Sequence, residues 1–278
     1  MATAFNCSEP IHAAVSVKTP YFAFLSPLHP TLYNHPDTLL THPCKQFAPR
    51  LFLVLLTSLA PITAQAQQPI PRTTIFLDPA HGGADSGARL SDSLPEKSLT
   101  LTFAARLRAL LSTSGFSVIA TRDSDPSVPF TTDQRAEIAN HSHPTACLVL
   151  HATASGNGIH IITSDVPPPD DDDTDTHHAI PWDTAQSASI PQSLALANSL
   201  GLALLHSRLP VLLTRSSLRP LDNLTCPAVA IEIAPLVPAD GEATPVSDAN
   251  YQQQIAQAIA TGLANWRRNQ NPAAGAAR

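Results

Sequence analysis

Apolar and polar positions along this chain fall into two regimes. Residues 1–49 are rich in Pro, His, Thr and aromatics and show no sustained periodicity. From Thr73 onward, short apolar runs alternate with stretches of helical spacing. TTIFLD (73–78) is a β-branched and apolar run ending in the turn material PAHGG, which predicts a first strand. From Glu96 to about Ser114, Leu99, Phe103, Leu107 and Leu110/Leu111 recur at helical spacing, with Gly115 placed to end that helix. Phe116–Thr121 predicts a second strand. Thr132 or Asp133 is then expected to cap a helix carrying Ile138, before strands over Cys147–His151 and Gly158–Thr163. Pro191 suits the first turn of a helix with Leu194, Ala197, Leu200 and Leu204/Leu205 inward. Val211–Thr214 and Val229–Ala234 read as strands, and Tyr251, Ile255, Ile259, Leu263 and Trp266 mark a closing amphipathic helix. This alternation predicts a single α/β domain over residues 73–268. Its largely parallel or mixed sheet has about six strands flanked by helices.

Three segments break the pattern. Arg50 precedes the apolar run Leu51–Leu56, which continues through Leu59-Ala60 and ends in Ala64-Gln65-Ala66. A short basic region, a short apolar stretch (about 51–60) and a small-x-small terminus predict a cleavable secretory signal within a leader of residues 1–66. The run is too short for a comfortable membrane span, so no stable span is expected after cleavage. The secreted protein should begin at Gln67, with 67–72 a short linker. Between Asp165 and Ser189, three prolines and four aspartates predict an exposed loop, expected to act as a flap near the site. Residues 269–278 read as a disordered tail.

Composition narrows the function classes. The formal net charge is −6 and only 14% of residues are charged. With no basic stripe or cluster, nucleic acid is not an expected partner. Export would permit a disulfide between Cys147 and Cys226. The sequence does not say whether their strands are neighbours, so two buried free thiols remain an equal expectation.

Four residues at or just after predicted strands, or at a helix start, carry the candidate chemistry: His81 in LDPAHGG, Glu96 in PEKSLTL, His151 in LVLHATA and Glu232 in VAIEIAP. Strand ends gather on one edge of an α/β sheet, where ligands collect. Two histidines and a carboxylate are a common ligand set for catalytic zinc, and a further glutamate would supply a general base. Each residue also has a plainer reading. Glu96 would serve as a charge at a helix N-terminus, and His151 as a satisfied core histidine. A lone carboxylate inside the apolar strand of Glu232 is costly unless paired or functional. Asp78 and Asp85 are expected to accept from a ligating histidine and orient it. His141 and His143 read as solvated residues at a helix end, and His177 and His178 as part of the polar loop.

Together DPAHGGADSGA, PEKSLTL, TRDSD, RAEIAN, LVLHATA and PAVAIEI resemble, in order, the motifs of the zinc-dependent N-acetylmuramoyl-L-alanine amidases (the amidase 3 family), from about Thr73 to about Leu263. The resemblance implies that His81, Glu96 and His151 bind Zn2+, that Glu232 is the catalytic carboxylate and that Arg135 is structural. It implies peptidoglycan or muropeptides as substrate, cut between N-acetylmuramic acid and L-alanine, and a periplasmic or secreted location. In some members an activator protein removes an inserted plug helix. Ala80 stands where the family has glycine, ATA follows His151 and IAPL follows Glu232. No ligand is lost, but the loops shaping the groove differ. Two alternatives stay open: a catalytically weak peptidoglycan-binding module of the same fold, and a zinc peptidase of other specificity.

Overall fold

The computed structural model describes residues 73–169 and 181–270. The leader, the linker, residues 170–180 of the Pro/Asp loop (with His177 and His178) and the last eight residues lie outside the described residues. Six strands, β1 (Thr74–Pro79), β2 (Ser117–Ala120), β3 (Ala146–Ala152), β4 (Ile159–Thr163), β5 (Val211–Arg215) and β6 (Ala228–Ile233), form one sheet in the order β2-β1-β3-β6-β4-β5. Four helices, α1 (Glu96–Thr113), α2 (Thr132–His141), α3 (Ile190–His206) and α4 (Ala249–Gln270), flank it. The expected single α/β domain with a six-stranded mixed sheet is what forms.

Strand direction decides where the site lies. β1, β2, β3 and β6 run parallel, whereas β4 is antiparallel to β6 and β5 follows β4. One edge of the sheet therefore gathers the C-terminal ends of β1, β3 and β6 together with the N-terminal end of β4.

The two faces are unequal. On the larger, Ile75 and Leu77, Leu148 and Leu150, Ile159 and Ile161, and Val229, Ile231 and Ile233 pack against α1, α3 and α4. Tyr251, Ile255, Ile259, Leu263 and Trp266 of α4 are all buried there, as their spacing predicts. On the smaller face, Phe76, Cys147, Val149, Ala228 and Ala230 meet Ala136 and Ala139 of α2 and Leu221 and Leu224. Side chains alternate faces along a strand. His151, Glu232 and His160 therefore continue the rows of this smaller face toward the edge.

Two sequence expectations need correction. α2 is capped by Thr131, one residue early, through a reciprocal capping box with Gln134. In α3, Leu194 and Leu205 are exposed, and the inward row is Ser193, Leu196, Ala197, Leu200 and Leu204. This helix is apolar nearly all round, so spacing alone does not pick its inner face. The segment Trp182–His206 is apolar enough to span a membrane by composition, yet half of it is buried within the domain. Cys147 and Cys226 form a disulfide, Cα–Cα 6.1 Å, because β3 and β6 are neighbours.

Candidate metal centre

His81 follows β1, Glu96 opens α1 and His151 lies near the end of β3. The fold brings one ligand atom from each within 4.8 Å of the others. Both oxygens of the Glu96 carboxylate are shared between an imidazole and a backbone amide. Oε2 lies 3.0 Å from His81 Nε2 and accepts from Ala88 N–H at 2.9 Å. Oε1 lies 2.9 Å from His151 Nδ1 and accepts from Ala152 N–H at 3.0 Å. The two imidazoles meet nearly edge-on, with centroids 5.5 Å apart.

Glu96 is 4% exposed, and an unpaired buried carboxylate is costly. Burial alone would push its pKa up. The hydrogen bonds from His151 and His81, with those from the Ala88 and Ala152 amides, outweigh it and hold the carboxyl well below the usual range. His81 responds in the opposite sense: its bond to Glu96 raises its pKa, burial works against this, and Asp85 adds to the rise. Among the described residues no lysine or arginine hydrogen-bonds Glu96. Two imidazole nitrogens and a carboxylate converging on one point fit a divalent transition ion such as zinc.

The residues around the ligands fix their aim. His81 Nδ1 bonds Asp85 Oδ2 at 2.8 Å, which directs Nε2 toward Glu96. Asp85 itself resists ionisation through burial, but His81 and the Gly87 amide lower its pKa. The backbone of His81 has φ 64°, a left-handed conformation unusual outside glycine. Arg135 holds that turn, donating to the His81 carbonyl at 2.7 Å and to the Pro79 carbonyl at 3.1 Å. Gly87, at φ +65°, lies against the site. A Cβ there would stand 2.5 Å from His81 Cδ2 and 2.7 Å from Glu96 Oε2, so no larger residue fits without moving a ligand. The loop is closed from outside by Lys97, which donates at 2.7 Å both to the Gly83 carbonyl and to Asp125.

Of the two aspartates expected to orient the histidine, only Asp85 does so. Asp78 points from β1 onto the smaller face, where Oδ1 accepts from Arg135 and Thr121, each at 2.6 Å. It anchors Arg135 rather than a ligand, and Arg135 is structural as expected. His141 and His143 are exposed at the end of α2, away from the ligand cluster.

Glu232 lies on β6 directly opposite His151 on β3, so both side chains emerge on the same face of neighbouring strands. It is half-buried, and among the described residues nothing hydrogen-bonds its carboxylate. On its other side β4 places His160 directly opposite. The sequence does not single His160 out. Its only signal is a histidine within an isoleucine-rich strand, GIHIIT.

Comparison with known proteins bears on the family and the fold. Residues 75–265 match the family model described as N-acetylmuramoyl-L-alanine amidase (amidase 3). An N-acetylmuramoyl-L-alanine amidase of Mycobacterium tuberculosis is 28% identical over 250 residues, covering 79% of this chain and 98% of that protein. The fold is similar to that of the amidase Ami1 from Mycobacterium smegmatis (TM-score 0.56, 23% identity, 71% of this chain and 98% of that one). It is also similar to that of the CwlD amidase from Clostridioides difficile, solved in complex with the GerS lipoprotein (TM-score 0.52, 22% identity, 71% and 100%). With 191 consecutive residues inside the family model, from the first core strand to the last helix, this chain belongs to the N-acetylmuramoyl-L-alanine amidase family (amidase 3).

Proposed function

We propose that this protein is a secreted, zinc-dependent amidase that releases the stem peptide from N-acetylmuramic acid in peptidoglycan. The observation carrying this reading is the convergence of His81, Glu96 and His151, with Glu232 on the strand next to His151. His81, Glu96 and His151 would hold a zinc ion, which would supply Lewis acidity for the scissile carbonyl and the attacking water. Glu232, free of hydrogen bonds to other described groups, takes the proton from that water and returns it to the departing L-alanine nitrogen. Asp85 keeps His81 in the tautomer that presents Nε2, and the Ala88 and Ala152 amides keep Glu96 ionised and aimed.

The Cys147–Cys226 disulfide supports an oxidising compartment, in keeping with the signal-like segment before Gln67. That the Clostridioides difficile amidase was solved in complex with a lipoprotein supports a protein partner for this chain as well.

The test is incubation of residues 67–278 with muropeptides, with zinc and after chelation. Release of intact stem peptide from muramic acid, lost on chelation and restored by zinc, is the expected outcome. Binding without cleavage would point to a wall-binding module. Cleavage within the stem would point to a peptidase.

A further inference from the structure

We propose that His160 is a positioning residue for Glu232, donating an imidazole N–H to its carboxylate during turnover. This rests on the reading of Glu232 as the proton carrier. β4 and β6 pair antiparallel with His160 directly opposite Glu232. Such partners project on the same face, with Cβ atoms about 4.5–5.5 Å apart. One side-chain rotation therefore spans the gap with a single imidazole–carboxylate hydrogen bond. Face parity agrees: Ile162, two residues on, packs on the smaller face, as do Ala228 and Ala230 before Glu232.

Across the sheet edge, three strands in succession carry His151, Glu232 and His160. The carboxylate is thus flanked by one histidine that belongs to the metal group and one that does not. His160 is half-buried, and among the described residues neither it nor Glu232 has a side-chain hydrogen bond. An uncommitted donor beside an uncommitted acceptor at a catalytic edge needs little rearrangement to pair. Catalytic hydrogen bonds commonly tighten only when substrate is bound.

The turn after β3 passes beside the imidazole. Gly156, at φ +94°, passes so close that a Cβ there would lie 3.3 Å from His160 Cε1 and 3.4 Å from Ala234 Cβ. Larger residues at 156 would press on the ring. Held by a donor, the carboxylate keeps its free oxygen aimed at the attacking water. Without it, the side chain samples rotamers that miss.

Purified protein carrying His160→Phe, His160→Ala or His160→Gln is compared with wild type in steady-state muropeptide cleavage, with zinc content measured in parallel. A hydrogen bond to a charged group corresponds to about 10- to 100-fold in rate. His160→Phe and His160→Ala should lower kcat by that factor, with KM and zinc content unchanged, and His160→Gln should restore most of it. Wild-type kcat in His160→Phe overturns the proposal, as does a raised KM at unchanged kcat or a His160→Gln as slow as His160→Phe.

A second readout does not depend on turnover. The 15N resonances of the His160 ring, followed as muropeptide is added, should shift in wild type and not in Glu232→Gln. Identical behaviour in the two proteins contradicts the pairing. If wild type releases no stem peptide, the functional reading falls, while the ring resonance still decides whether the pair forms.

Discussion

On the β1–β3 side of the sheet edge, the side chains of the metal centre are held by other groups. Asp85 bonds His81, two backbone amides and two imidazoles share Glu96, and Arg135 ties down the turn that carries His81. On the β6–β4 side, Glu232 and His160 face each other without a hydrogen bond among the described residues, beside an edge strand β5 whose Leu212 is 51% exposed. The contrast fits the chemistry proposed for each side. A metal ligand must be fixed before the ion arrives, since loose ligands lose affinity. A proton carrier must move between the water and the leaving nitrogen, so it needs a defined place with some freedom within it.

The two halves should therefore fail differently. The largest effect is expected on the metal side. Glu96→Ala removes the ligand that both imidazoles face, so bound zinc should fall to below about a tenth per chain and turnover to background. Metal analysis of the purified variant decides it, and retention of zinc would remove Glu96 from the ligand set.

Gly87→Ala sharpens the same side without replacing a ligand. The added Cβ meets His81 and Glu96 at a left-handed position, so zinc affinity should drop about 10- to 100-fold. A competitive chelator titration measures this. Unchanged affinity would mean that the ligands relax freely, against the rigidity argued here.

The Cys147–Cys226 link is the covalent tie between the two halves, joining the approaches to His151 and Glu232 across a separation of 79 residues. Replacing both cysteines with alanine should cost about 4 kcal/mol of stability by chain entropy, seen in denaturant unfolding, while zinc stoichiometry in the folded protein stays the same. Loss of zinc from still-folded protein would show that the tie also shapes the metal group.

How much of this is legible in the sequence depends on what each feature needs. The helix rows of α1 and α4 are local patterns, and Leu99, Phe103 and Ile255 fall where their spacing places them. His81, Glu96, His151 and Glu232 come together because each lies at an element end recognisable in its own neighbourhood. His160 is not legible this way. It stands at the start of a strand, and only the reversed direction of β4 brings that start to the catalytic edge. The disulfide has the same origin, since the adjacency of β3 and β6 is a matter of strand order. Asp78 is not legible either: it lies within β1, three residues before His81, where Arg135 and Thr121 take its carboxylate, and those partners come from distant parts of the chain. Leu194 and Leu205 failed for want of contrast, because a helix apolar on every side offers no stripe to read.

The central claim is that metal binding and proton transfer reside in separate halves of one sheet edge. Glu232→Gln, assayed for bound zinc and for stem-peptide release on the same preparation, tests it most directly. Zinc near one per chain with turnover lost is the predicted result. Loss of zinc with the substitution, or turnover that survives it, would contradict the division.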